Sequence, residues 1–535
     1  MGVLVAPVEA RHESLLARAA SALGERGRTI ALVTAATVLA TLIAGYHPYS
    51  EDGGIYVASV KQLLDPGLYP HDAAFAMEPS RWSLFAPAVA GLVRLAHVPL
   101  PWVLLALHVA SVWATLFAAD MLASRLSVRR EARGGAVVLL ACWLGLPVAG
   151  TALYVMDPYL TARSLATPAM ILAIIGTLDA TQRPDPARRG RGWALWGGGL
   201  AVCVTMHPLT AMYAGFATTL LACIRARSHA VRVWGVAGLC AAATIGAACM
   251  QMLAPPESGS YTQAALSRSY WFFSEWQWYE IAGLVAPLVI LGIVAWTRRA
   301  PRWHDPAVGF QNAVSGLALM AVIVGAIASV IAMLFAHEKA STHLLARLQP
   351  LRMFQAVYVV MIIMLGGWLG EHVLRRSVWR WGVAIALLGG AMFGVARAEY
   401  SGSEHLELPW LEAKNPWVQT FEWVRSNTPK DALFAVDADY VHTAYEDAQG
   451  FRAIAERSML PDRSKDGGEA SIAPDLADTW ARGVAAQDHL NAISDDERVV
   501  LLRPLGVTWV VLDAEAKTAL PCPYASANAR VCRLM

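Results

Sequence analysis

The chain has 535 residues, of which 56% are hydrophobic and only 16% charged. A water-soluble protein carries about 25% charged residues, so this composition excludes an ordinary soluble enzyme and points to lipid as the main solvent. The formal net charge of +2 carries no nucleic-acid signal, because the basic residues are spread among short loops and form no single stripe.

Residues 1–28 form a charged segment, with Arg11, Arg18, Arg26 and Arg28, and no small-residue cleavage site closely follows the apolar run after it. That run, 29–46, therefore reads as a retained first span. About 20 apolar residues cross a bilayer as helix. By that rule further spans fall at 100–123, 135–153, 163–180, 192–206, 208–224, 233–253, 280–297, 309–336, 350–371 and 381–398. The segment 81–98 is apolar but contains Arg94 and His97. Treating it as a helix lying in the interface places every arginine cluster on the side of the N-terminus: Arg125 to Arg133, Arg183 to Arg191, Arg225 to Arg232, Arg298 to Arg302, and Arg375 to Arg380. The expected protein is mainly α, a polytopic helical membrane protein of about eleven spans. Residues 29–398 form the membrane domain, the N-terminus is cytoplasmic, and the C-terminus is outside.

The outer loops collect the residues with chemical potential. YHPYSEDGGIYV at 46–57 places Glu51 and Asp52 just past the first span, before Gly53 and Gly54, which allow tight backbone geometry or close approach of a ligand. The pair reads either as solvated loop acids or a helix cap, or as acids working at the lipid surface, where one takes a proton from an acceptor hydroxyl. In MDPYLTARS, Asp157 precedes a span that Arg163 opens. An arginine at a helix start opposes the dipole preference and calls for a partner, either Asp157 or a phosphate. His207 and Pro208 mark a tight outer turn or a broken helix facing a cavity. FAHEKASTHLLARLQPLRMFQ brings together His337, His343, Arg347 and Arg352. Arg352 lies inside the start of an apolar run, where arginine is costly unless paired or facing water, and a guanidinium forks onto phosphate. Interfacial snorkelling is the plainer reading of that segment. The aromatic stretch SRSYWFFSEWQWYE reads as interfacial anchors.

Residues 399–535 change character and read as a small extracytoplasmic α/β domain. NPWVQTFEWVRSN has helical spacing, while ALFAVD and GVTWVVLD read as strands. DRSKDGGEASIAPD at 462–475 reads as a flexible loop. Cys522 and Cys532 are spaced to close a short disulfide in an oxidising compartment; Cys142, Cys203, Cys223, Cys240 and Cys249 lie in apolar runs. No clear metal-binding motif supports a divalent cation, and no phosphate-binding glycine loop is present.

This plan resembles the GT-C class of membrane glycosyltransferases. The resemblance is carried by SEDGG after the first span, MDPYLTARS in the second outer loop, LARLQPLRMF in a late outer loop, and an outer C-terminal domain with NTPKDALFAVD, FRAIAERS and GVTWVVLD. It implies a polyprenyl-phosphate sugar or other anionic lipid as donor, a glycan or protein acceptor, and a bacterial inner membrane with the C-terminal domain periplasmic. It further implies Asp52 or Glu51 as base, Asp157 supporting acceptor or metal, and Arg347 and Arg352 on the lipid phosphate. The acids lack the spaced pattern of the metal-dependent members. Two other readings are a transporter or lipid-handling protein, and a non-catalytic envelope assembly factor with the same fold.

Overall fold

In the computed structural model, which describes residues 8–182, 186–297 and 306–534, a helix stands at each of the eleven expected apolar runs, from Val8–Ala44 to Val378–Glu399. Eight helical segments among the described residues are long and apolar enough to cross a membrane. Helices His229–Leu253 and Val378–Glu399 bury only Ala247 and Gly389, respectively. Apolar surface presented on all sides of a helix requires lipid around it. The chain is a multi-pass membrane protein.

The expected span 135–153 is shorter than its hydropathy suggests. Its helix, Arg130–Cys142, has 13 residues, a rise of about 20 Å against a hydrocarbon core of about 30 Å. Pro147 and two glycines follow, and the chain continues without regular structure through a Pro147–Tyr154 bridge. Val148, Leu153 and Val155 are buried there, so the apolar run continues because the loop lies inside protein. The helix itself packs closely on Phe354–Leu369: a Cβ on Gly135 would run into the backbones of Gly366 and Gly370.

One end of the bundle is held by ion pairs among the arginine clusters. Arg133 meets Asp120 at 2.6 Å, Arg125 meets Asp179 at 2.9 Å, Arg129 meets Glu371 at 3.3 Å, and Arg376 meets Glu131 at 2.8 Å. The two aspartates on apolar helices are buried, and each is paired, as an acid in lipid must be. Arg183, Arg298, Arg299 and Arg302 lie outside the described residues, as do the side chains of Arg11 and Arg18.

At the other end, helix Asp52–Leu64 follows the first span and packs Val57 and Val60 against Phe85, Ala86 and Val89 of helix Phe85–Ala96. The second helix has 12 residues, about 18 Å of rise, too short to span. Its Leu92 and Leu95 are exposed, beside exposed Trp82 and Leu84, so a helix too short to span leaves an apolar face uncovered by protein.

The C-terminal domain is built on five strands, β1 Leu433–Val436, β2 Ser458–Met459, β3 Trp509–Asp513, β4 Tyr524–Ala525 and β5 Ala529–Arg533, in the order β2-β1-β3-β5-β4. β1 runs parallel to β2 and β3, and β5 runs antiparallel to both its neighbours. Helix Pro416–Asn427 starts on the Asn415 cap and buries Trp417, Phe421 and Val424 in the core that holds Phe434, Trp509 and Val511. Cys522 and Cys532 form a disulfide.

The expected flexible loop at 462–475 is instead a buried helix, Lys465–Ile472, followed by a turn at Pro474–Leu476. Its charges are matched by partners far away in sequence. Arg452 forks onto Asp466 at 2.7 and 3.0 Å and also holds Asp72 of the first outer loop. Arg81 grips Asp475, and Arg268 donates to the carbonyls of Arg463 and Ser464. Gly54 sits so close to the domain that a Cβ would lie 2.9 Å from Cα of Gly450. Gly54 therefore serves a close chain-to-chain approach, the first outer helix against the C-terminal domain.

Candidate functional site

The docking of this domain on the helix ends encloses a cavity of about 470 Å³, within the usual size of a ligand site. Segments far apart in sequence contribute to it, among them the start of helix Asp52–Leu64, the turn at Glu78, the start of Ala162–Thr181, the break at His207, the 267–270 turn, the turn before Phe354–Leu369, and helix Lys465–Ile472. Asp52, Arg163 and His207 each sit at a helix start, and Arg352 lies in the short turn just before Phe354–Leu369.

Asp52 is the first residue of its helix, where the dipole favours an acid. Its Oδ2 accepts from both terminal nitrogens of Arg163 at 3.3 Å, and its Oδ1 lies 3.7 Å from Lys465 Nζ. Glu51, also on the cavity wall, is paired with Lys465. Its φ of 52° and ψ of −135° are rare for a residue with a side chain. That backbone is held by the Glu51 N–H donating to the carbonyl of Ala448 in the C-terminal domain. Burial pulls the Lys465 ammonium down to about 8. The adjacent carboxylates act in the opposite sense, so Lys465 carries its proton at neutral pH.

Asp157 does not line the cavity. It lies behind Arg163, 2.9 Å from Nη2 and 5% exposed, and its role here is to orient that arginine. Burial pushes the Asp157 carboxyl above its ordinary range, with Arg163 opposing. The sequence paired Arg163 with Asp157 or with a phosphate; the structure pairs it with Asp157 and Asp52 together.

His207 caps helix Pro208–Ile224, its Nδ1 accepting from the Thr210 N–H at 3.2 Å. An accepting Nδ1 leaves the ring proton on Nε2 and disfavours the doubly protonated ring. Burial, with Arg163 and Arg352 nearby, also pushes the imidazole down to about 3. The ring is half-buried on the cavity wall. His207 thus presents a neutral N–H donor.

Arg352 stacks over the Tyr270 ring at 5.4 Å. Its Nε is buried and has no hydrogen-bond partner, and among the described residues no carboxylate pairs with it. It lines the cavity with Gln349, whose Oε1 is likewise buried and unpartnered. An unpaired guanidinium beside a neutral donor is a receptor for an anion.

The other residues expected in this late loop lie elsewhere. Arg347 reaches the Ile472 carbonyl at 3.4 Å and helps hold the domain. His343 is buried and bonded through Nδ1 to Glu257 at 2.8 Å, and His337 is exposed on its loop. Neither they nor Arg347 line the cavity. Lys465, Glu78 and Glu469 do, and the sequence reading missed them. Lys465 and Glu469 stand in KDGGE, charge among glycines, the local signal of a wet loop, and Glu78 is a lone acid before Pro79. Among the described residues, no group of three or more His, Cys, Asp or Glu side chains converges as metal ligands do, and Asp52 is held by two cations, Arg163 and Lys465.

No family model matches the chain, and no curated protein matches it. Among solved structures, the chain is similar to the archaeal oligosaccharyltransferase AglB from Archaeoglobus fulgidus, in complex with an inhibitory peptide and a dolichol-phosphate, at 13% identity and a TM-score of 0.43, over 92% of this chain and 70% of that one. A structure of the Archaeoglobus fulgidus oligosaccharyltransferase with Zn and sulfate matches with the same identity and score, over 90% and 68%.

Proposed function

We propose that this protein transfers a sugar from a lipid-phosphate-linked donor to an acceptor hydroxyl or amide, glycan or protein, within the outer cavity. The observation that carries the reading is the unpaired Arg352 guanidinium in a cavity whose wall also presents Asp52. Arg352 and the His207 N–H take the donor phosphate at the level of the helix ends, while the prenyl tail stays in the bilayer. The acceptor atom attacks the anomeric carbon, and the bond from that carbon to the phosphate oxygen breaks. The proton leaves the acceptor for Asp52, and the prenyl phosphate departs with the bonding electron pair. Arg163 and Lys465 orient the carboxylate, and Asp157 fixes Arg163. The gathering of arginines at one end of the bundle supports, by the positive-inside rule, a cytoplasmic face there, and with it a periplasmic cavity and C-terminal domain in a bacterial inner membrane, as the family resemblance implies.

The test measures two quantities on purified protein in nanodiscs. One is prenyl phosphate affinity. The other is prenyl phosphate release from a panel of prenyl-phosphate sugars, with membrane extract as acceptor source. Arg352→Gln lowers affinity about 10- to 100-fold, the range for a lost charge-assisted hydrogen bond. Asp52→Asn leaves affinity within about twofold and lowers release about 10²- to 10⁴-fold, the range for a lost general base. Full release by the Glu51→Gln, Asp52→Asn double variant refutes the base assignment.

A further inference from the structure

The cavity has an acidic side that the transfer step does not use. Glu469 is 5% exposed and lines the wall, and neither of its carboxylate oxygens has a hydrogen-bond partner. Glu78, 7% exposed, lines the same cavity with its Oε1 also buried and unpartnered. One residue comes from the C-terminal domain and the other from the first outer loop. They are near enough for the charge of Glu78 to act on Glu469. Such groups cost free energy unless something completes their hydrogen bonds.

We propose that Glu469 and Glu78 form the subsite for the hydroxyl groups of the transferred sugar. The proposal rests on the lipid-phosphate-linked donor reading above and names the part of that donor these residues hold. Three kinds of ligand satisfy paired carboxyls: a metal, an organic cation and a neutral polyol. No third His, Cys, Asp or Glu ligand converges on them among the described residues, so they form no all-protein metal cage, and ligation of any cation requires both acids to give up their protons. Burial raises both groups, Glu78 to about 7 and Glu469 well above its ordinary range, which favours the protonated carboxyl on this wall. A neutral carboxyl donates one hydrogen bond and accepts others, which matches sugar hydroxyls without any change in charge. Arg352 at the phosphate and the two acids at the sugar then divide one donor between them.

The experiment compares affinities of the full-length protein in nanodiscs for bare prenyl phosphate and for the same prenyl phosphate carrying a hexose, a pentose or an N-acetylhexosamine. In the wild type at least one sugar improves affinity by about tenfold or more, the factor for one to two net hydrogen bonds. Glu469→Leu and Glu78→Leu reduce that sugar increment to within about twofold of none and leave bare prenyl phosphate binding intact, which also shows that the variants are folded. Glu469→Gln, which keeps a donor and an acceptor, retains most of the increment. The proposal is overturned if the Leu variants keep the full increment, if no tested sugar adds any, or if Gln fails as badly as Leu, since that last result demands an ionised carboxylate and a cationic ligand. Failure of bare prenyl phosphate to bind the wild type, or binding indifferent to Arg352→Gln, refutes the phosphate reading and this subsite with it. Phosphate binding without a sugar increment refutes the subsite alone.

Discussion

Replacing Arg452 by methionine tests whether the C-terminal domain is held on the membrane domain as described. Arg452 is buried and spans three segments. Its Nε holds Asp72 of the first outer loop, while Nη1 and Nη2 hold Asp466 at 2.7 and 3.0 Å. The side chains of Asp72 and Asp466 are 5% and 2% exposed. Arg452→Met leaves both carboxylates buried without their cation, and breaking a buried pair in this way costs about 3–5 kcal/mol. Two backbone donors, Met459 N–H to Asp72 and Asp462 N–H to Asp466, remain and limit the loss to the lower half of that range. At about 2–4 °C per kcal/mol for a domain of this size, the domain's unfolding midpoint falls by roughly 6–16 °C. Arg452→Lys keeps the charge but loses the fork, and falls between the two. The triple variant Asp72→Asn, Arg452→Met, Asp466→Asn recovers a large part of the loss, because no unpaired charge remains. The assay is thermal unfolding in nanodiscs followed by tryptophan fluorescence, with limited proteolysis of the 462–476 segment as a second readout. A midpoint for Arg452→Met within about 1 °C of wild type, or a triple variant as unstable as the single, refutes the reasoning.

Gly54→Ala places a methyl 2.6 Å from the Tyr49 carbonyl oxygen and 2.9 Å from Cα of Gly450. It destabilises by about 1–3 kcal/mol through overpacking, and proteolysis of the C-terminal domain reads the loosened docking. Glu78→Gln reports the linkage of a buried neutral acid. Its carboxyl is raised to about 7 when folded and lies near 4.3 when unfolded, so between those values the folded state binds more protons. Wild-type stability therefore falls with rising pH over that window by up to about 1.4 kcal/mol per unit relative to Glu78→Gln, and levels off above it. Parallel pH profiles for the two proteins count against a raised Glu78.

The helical plan was legible because hydropathy and arginine placement are properties of continuous segments. The eleven apolar runs, the short helix at 85–96 and the strands around Phe434 and Val510 all carry their signal locally. Hydropathy misled at 143–153, where it reported burial inside protein and was read as continued helix, although Pro147, Gly145 and Gly150 marked the break, and about eleven expected spans become eight helical segments long and apolar enough to cross among the described residues. The cavity was partly legible. Asp52, Glu51, Arg163, His207 and Arg352 sit beside spans, where polar residues stand out, and the structure brings all five to one wall system. Asp157, Arg347, His337 and His343 stand out equally, and only tertiary contacts separate them from the lining residues. Lys465 and Glu469 were hidden for the opposite reason. Local sequence gives Lys465-Asp-Gly-Gly-Glu469 the look of a solvated loop, and the partners that bury it, Arg452, Arg268 and Glu51, come from as far away as residue 51.

The most direct test is a structure of the protein in nanodiscs with a long-chain prenyl phosphate present. The account predicts the phosphate within hydrogen-bond distance of the Arg352 guanidinium and the His207 ring, with Asp52 facing the same space and the tail running out between the helices into lipid. A phosphate bound at the arginine-rich end of the bundle, or a cavity that excludes it while the lipid binds elsewhere, contradicts the account.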